Sequence, residues 1–207
     1  MRLITPECPL WKASEEEAAN VGLVEPYWAF PWAGGQVLAR YLLDEPATVA
    51  GKRVLDFGAG GAVEGIAAAL AGARVTVADI DPMAISAALI NAELNGVRLE
   101  ATTEDFLGRP VTELGSMTTR VSEGIGPWDV VLAGDVCYGN EMASAVTRWL
   151  SALADAGSLV LIGDANRGFL DTGDLVTKVR FDAPADNDVD GSFLQPATVY
   201  CMNSRFL

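Results

Sequence analysis

The acids and glycines that could do chemistry in this chain collect at four places. They are Asp56 to Gly61 (DFGAGG), Asp79 with Asp81, Glu104-Asp105-Phe106, and Asp135 to Tyr138 (DVCY). Gly58 and Gly60 lack the Cβ that would keep a ligand off the backbone. A glycine turn that opens a helix also turns N–H groups toward an anion, as dinucleotide sites do. Two details argue against a dinucleotide. Asp56 sends a carboxylate into the turn, which suits a cationic amino acid better than a pyrophosphate. The third glycine of a G-x-G-x-x-G pattern falls on Val63, a poor fit to close helix–strand packing. Asp79 follows Asp56 by 23 residues, and a carboxylate there accepts both hydroxyls of a ribose. It serves equally well as the N-cap of the helix opened by Pro82, although Asp81 has the better spacing for that job.

The elements that must position these groups read clearly. Lys52–Phe57 is a buried-strand pattern that ends in the glycine turn. Ala62–Ala71 is an alanine-rich helix stopped by Gly72. Arg74–Ala78 is a second strand, Met83–Asn95 a helix with Pro82 in its first turn, and Val97–Thr103 a weaker third strand. Trp128–Ala133 and Ser158–Ile162 are strands that flank a helix over Glu141–Ala154. Strands alternating with helices at this spacing imply right-handed βαβ units and a parallel sheet. Leu175–Phe181 and Ala197–Met202 have no helix between them, so the sheet should end in an antiparallel hairpin turned by Pro184–Gly191. Upstream, Ser14 and Glu17 form a capping box for a short helix over Ser14–Asn20, and a further helix runs from about Gly34 to Leu43. Gly108–Gly126 reads as a long loop. The expected fold is α/β: one Rossmann-like, doubly wound, mainly parallel sheet in a single domain over residues 1–207, with 1–45 as lead-in and helix. In such a sheet ligands bind beyond the carboxyl ends of the strands, where all four clusters fall.

Composition excludes several classes. The 207 residues carry a formal charge of -14, which repels phosphate backbones and disfavours nucleic acid. There is no histidine, and Cys8, Cys137 and Cys201 lie far apart. A zinc site, a disulfide framework and a His-dependent nucleophile are therefore not expected, nor is any other metal. The first residues lack the basic start and apolar core of a signal peptide, and no run spans a bilayer, so a cytoplasmic protein without membrane contact is expected. A monomer is the default for its oligomeric state.

VLDFGAGGAVEGIAAA followed by RVTVADIDPMAISAALINAELNG resembles the cofactor half of class I S-adenosylmethionine-dependent methyltransferases. PYWAFPWAGGQVLARYL and GDVCYGNEM add a resemblance to the seven-stranded protein-lysine methyltransferases marked by a D-x-x-Y element. Within these it resembles bacterial relatives of the electron transfer flavoprotein β-subunit lysine methyltransferase. The resemblance implies S-adenosylmethionine as cofactor and a protein substrate that presents a lysine. It implies that Asp56, Gly58 and Gly60 flank the methionine part, that Asp79 holds the ribose, and that Asp105 and Phe106 lie near the adenine. Trp32 would help to close the site, and Asp135 and Tyr138 would line the approach of the target amine. The aromatic rings of Trp28, Phe30, Trp32 and Tyr138 suit an apolar channel with cation–π attraction, and ordinary core packing would explain Trp28 and Phe30 as well. Asp135 suits either an amine or loop N–H groups. A small-molecule N- or O-methyltransferase and a catalytically silent binding module share the same cofactor residues.

Overall fold

A computed structural model describes residues 1–3, 26–111, 128–185 and 191–202. The expected helix over 14–20, most of the 108–126 loop and Cys8 lie outside these residues. One sheet of seven strands carries the fold. The strands are β1 (Arg53–Phe57), β2 (Arg74–Ala78), β3 (Glu100–Thr102), β4 (Val130–Gly134), β5 (Leu159–Asp164), β6 (Leu175–Pro184) and β7 (Leu194–Met202). Their order is β3-β2-β1-β4-β5-β7-β6. Neighbours from β3 to β5 are parallel, and β7 runs antiparallel to both β5 and β6. The parallel sheet closed by a hairpin is thus the expected one. Helices α1 (Ala33–Asp44), α2 (Val63–Leu70), α3 (Pro82–Leu94) and α4 (Asn140–Asp155) cover it.

Strand periodicity divides the core into two layers. Val54, Val130, Leu132 and Leu161 pack with α1, α2 and α3 on one face. Leu55, Val131, Ala133, Val160 and Ile162 pack with Trp149, Leu150 and Leu153 of α4 on the other. A period of 2 sends successive side chains to opposite faces, so apolar runs of this kind belong to strands buried on both sides. The same parity places Asp56 on the face of Val54, beneath α2.

Three boundaries differ from the sequence reading, each for a local reason. β3 shrinks to three residues, as expected of a short, mostly exposed edge strand. Both hairpin strands run longer, since β6 and β7 pair from Leu175↔Met202 to Pro184↔Leu194. Helix α2 starts at Val63, because Ala62 takes a left-handed conformation at φ 62° that ends the glycine turn.

Helix α1 lies unusually close to the sheet. A Cβ built on Gly163 of β5 would stand 2.7 Å from the Gly34 carbonyl carbon and 2.8 Å from Leu38 Cγ. A Cβ on Gly134 of β4 would stand 2.8 Å from Gly35 Cα and would collide with the Glu64 carboxylate. Four glycines therefore allow backbone to touch backbone. Because backbone atoms cannot rotate away, Gly163→Ala should destabilise the protein by about 1–3 kcal/mol, the usual cost of overpacking, read as a fall in the urea midpoint. An unchanged midpoint would mean that α1 can lift off the sheet at little cost.

Candidate active site

The site is built at the carboxyl ends of β1, β2 and β4. The turn after β1 bends through Gly58 at φ 66° and Gly60 at φ 51°, a region that glycine enters without strain. Asp79 fixes it from β2: its Oδ2 accepts from Gly60 N at 2.9 Å and its Oδ1 from Asp81 N at 2.9 Å. Asp81 caps α3 by accepting from Met83 N at 2.8 Å. Asp79 is thus released from the capping job, and each of its oxygens keeps a second lone pair for a ligand. On the far side the buried Asn91 of α3 holds the turn through Nδ2 to the Gly61 carbonyl at 3.1 Å.

An aromatic segment stands over this turn. Trp28, Phe30 and Trp32, with Tyr27, line a crevice whose other walls are Gly58 to Gly61, Val63, Gly35, Gly134 and Glu64. Trp32 donates from Nε1 to the Tyr27 carbonyl at 2.8 Å and packs on Phe30 with ring centres 5.5 Å apart. Its ring also carries the Arg167 guanidinium, 5.4 Å from the centroid. A wider depression on the hairpin side, lined by Asn166, Arg180, Phe181 and Asp182 among others, has no glycine turn. The converging groups favour the narrower crevice.

Asp135 follows β4 at φ 51° and is buried. Its Oδ1 accepts from Arg167 at 2.5 Å, and its Oδ2 accepts a short hydrogen bond from Gly34 N in the first turn of α1. Tyr138, three residues on, is 62 % exposed. Asp56 is fully buried, and its Oδ2 accepts from Gly65 N of α2 at 2.9 Å while Oδ1 has no partner. Asp56 therefore sits under α2, and the acid that reaches the crevice is Glu64. Asp105 is exposed beyond β3, where its Oδ1 accepts from Leu107 N at 2.9 Å. Phe106 is buried against Trp128 and Trp149, with centroids 5.4 and 6.4 Å away, so it backs that corner from the core. The structure thus brings Trp32, Gly58 and Gly60 to one crevice, with Asp79 and Asp135 bonded to its rim and Asp56 beneath it. Asp105, Phe106 and Tyr138 do not line it.

Sequence reasoning missed Glu64. At the second position of α2 it reads as a solvated acid favoured by the helix dipole. It is only 4 % exposed, with its carboxylate between Gly35 and Gly134. The available signal was an acid in an otherwise apolar helix, VEGIAAAL. Burial raises the Glu64 carboxyl from 4.5 to about 7, and nearby Asp135 pushes the same way. Burial raises Asp56, Asp79 and Asp135 too, although the Arg167 charge opposes the rise at Asp135. Among the described residues the site is a cluster of crowded carboxyl groups with little local positive charge, an arrangement suited to a cation. Buried Cys137, its thiol raised to about 11 by burial, is not a nucleophile at neutral pH.

A mainly parallel seven-stranded sheet ending in a hairpin, with a glycine turn after β1 and an acid after β2, is the class I methyltransferase fold. Among solved structures, the magnesium protoporphyrin IX methyltransferase of Synechocystis shares it with a TM-score of 0.53 over 82 % of this chain and 80 % of that one, at 18 % identity. Residues 36–131 match the ribosomal protein L11 methyltransferase (PrmA) family. Electron transfer flavoprotein beta subunit lysine methyltransferases are much nearer in sequence. The Danio rerio protein is 41 % identical over 170 residues, covering 81 % of this chain and 59 % of that one. The Xenopus laevis protein is 39 % identical over 170 residues, covering 81 % and 62 %. The Caenorhabditis elegans homolog is 33 % identical over 172 residues, covering 81 % and 68 %. The chain belongs to this family, and it spans about three fifths of the Xenopus and Danio proteins.

Raised carboxyls make a pH prediction at this site. A folded-state value above the unfolded one means that the folded protein holds its proton more tightly, so Glu64 stabilises most below pH 4.5. That contribution declines as pH rises and is gone above about 7. The ligand-free protein should therefore melt at lower temperature as pH climbs through this window. Glu64→Gln, which cannot titrate, should flatten the decline near neutrality. An equally steep decline in the variant would assign it to another acid.

Proposed function

We propose that this chain is an S-adenosylmethionine-dependent methyltransferase that acts on a lysine side chain of a protein, with an electron transfer flavoprotein β-subunit as the first candidate. The observation that carries the cofactor reading is the crevice itself. A glycine-rich turn, a ribose-competent acid after β2 and a surplus of buried carboxyl groups fit a nucleoside joined to a cationic amino acid. The names of the curated relatives support a lysine acceptor. The widely spaced cysteines, with Cys137 and Cys201 free, support a cytoplasmic setting.

The chemistry the cofactor supplies when bound is an electrophilic methyl group on a sulfonium, which asks of the protein position and electrostatics. Asp79 would accept ribose hydroxyls with its remaining lone pairs. Asp105, exposed beyond β3, would border the adenine end, and Phe106 would support that wall from the core. The target lysine must be neutral to have a lone pair, yet a free lysine near pKa 10.4 is protonated at pH 7. The rings of Trp28, Phe30, Trp32 and Tyr138 attract the ammonium, and their apolar surroundings favour loss of its proton. Asp135 acts at this mouth as a positioning residue, since its carboxylate holds Arg167 and the first turn of α1.

Calorimetry should detect S-adenosylmethionine binding and no comparable NAD binding, and tight NAD binding alone would overturn the class of cofactor. Asp79→Ala should weaken binding roughly tenfold through loss of a charge-assisted hydrogen bond. Unchanged affinity would move the ribose to another acid.

Labelled cofactor, enzyme and the flavoprotein subunit should together give label on lysine, located by peptide mass spectrometry. Asp135→Asn should slow labelling while cofactor affinity stays within about twofold, because Arg167 loses its charged partner but the turn after β1 does not. Tyr138→Phe should be milder, since the ring remains. Label confined to small metabolites would refute the protein acceptor. A wild-type rate in Asp135→Asn would end its role in positioning.

A further inference from the structure

We propose that Glu64 is the residue that binds the α-ammonium group at the amino-acid end of the cofactor. The assignment rests on the S-adenosylmethionine reading above. Its first support is placement. Among the described residues Glu64 is the one carboxylate that lines the crevice, together with Gly58, Gly60, Gly134, Trp28 and Phe30. Its carboxylate occupies the slot between Gly35 and Gly134, and a Cβ built on Gly35 would stand 2.8 Å from its Oε2. Two glycines thus make room for this one side chain where α1 packs against β4.

The second support is charge. The groups that face Glu64 are Asp56 on β1 beneath it and Asp135 after β4, with Asp79 at the end of β2 beyond Asp56. The first turn of α1 presents no acidic side chain to it, only Gly34 and Gly35. Arg167 is committed to Asp135 and to the Trp32 ring. Asp56 Oδ1 is buried without a hydrogen-bond partner, an unmet demand for positive charge or a proton in the same cluster. A buried carboxyl among other carboxyls holds a proton until a cation arrives. The Glu64 carboxylate already accepts from the backbone N–H groups of Glu64 and Gly134, and an ammonium group, a compact donor of three hydrogen bonds, adds the positive charge that lets it ionise. Binding of the amino-acid end should therefore release a proton, and binding of a nucleoside without that end should not.

The test compares two nonreactive probes, S-adenosylhomocysteine, which carries the ammonium, and 5′-methylthioadenosine, which lacks the amino acid. Each is titrated at pH 6.5 by calorimetry in buffers of different ionisation enthalpy. In the wild-type protein the first should release a measurable fraction of a proton and the second none. In Glu64→Gln that release should vanish. Affinity for S-adenosylhomocysteine should then fall about tenfold, while affinity for 5′-methylthioadenosine stays within about twofold. Binding of S-adenosylhomocysteine by the wild type without proton release overturns the assignment, and this arm needs no variant to fold. Release that persists in Glu64→Gln gives the role to Asp56 or another acid and overturns it too. Failure of both probes to bind overturns the cofactor reading itself, and the assignment with it.

Discussion

Two carboxylates reach from strand ends into helix N-termini, and the rest of the site depends on them. Neither α1 nor α2 has a side-chain cap of its own. Asp135 after β4 accepts from Gly34 N of α1, and Asp56 on β1 accepts from Gly65 N of α2. The first turn of a helix leaves N–H groups unpaired and carries a partial positive charge, so a buried carboxylate there recovers part of its desolvation cost. These caps are tertiary: they hold each helix to a particular strand, whereas a local N-cap would only start it. For α1 the consequence is direct. Its first turn is pinned to β4 and β5, and Trp32, the residue before it, is thereby placed over the glycine turn.

Capping by buried acids has an electrostatic consequence. Glu64 raises Asp56 and Asp135 raises Glu64, and Arg167 opposes the rise only at Asp135 and Asp164. The architecture that fixes the helices therefore leaves the crevice short of positive charge. Removing a cap and removing a ligand contact have different signatures. The first loosens α1 or α2, whereas the second leaves the fold intact and changes what binds. Asp135 belongs to the first kind, since its Oδ2 accepts from Gly34 N in the first turn of α1.

Much of the fold was legible because it rests on periodicity. Alternating apolar strands, an alanine-rich helix and proline or glycine at helix ends survive in any buried α/β sheet. Asp81 was readable as the cap of α3 because the capping bond is local, two residues away. Glu64 and Asp56 were not separable by sequence. Both are acids near the glycine turn, and which one reaches the crevice depends on strand parity and on a helix packed across β1. The Gly34 contact with Asp135 spans 101 residues, and no local pattern announces it. Phe106 shows the same limit: the residue is where the motif places it, but Trp128 and Trp149, far away in sequence, draw its ring into the core.

The distribution of these features bears on acceptor choice. The sheet is shared with a porphyrin methyltransferase at 18 % identity, so the layers of strands and helices cannot by themselves select an acceptor. Selection must lie in what stands above the strand ends. Among the described residues that is the Tyr27–Trp32 segment, Tyr138 after β4 and Arg167 after β5. Arg167 is the link among them, because it pairs with Asp135 and lies on Trp32 at once. A guanidinium in that position excludes a second cation from the Asp135 carboxylate while the pair is closed. A cation that approaches this mouth therefore meets the aromatic faces of that segment before it can reach the Asp135 carboxylate.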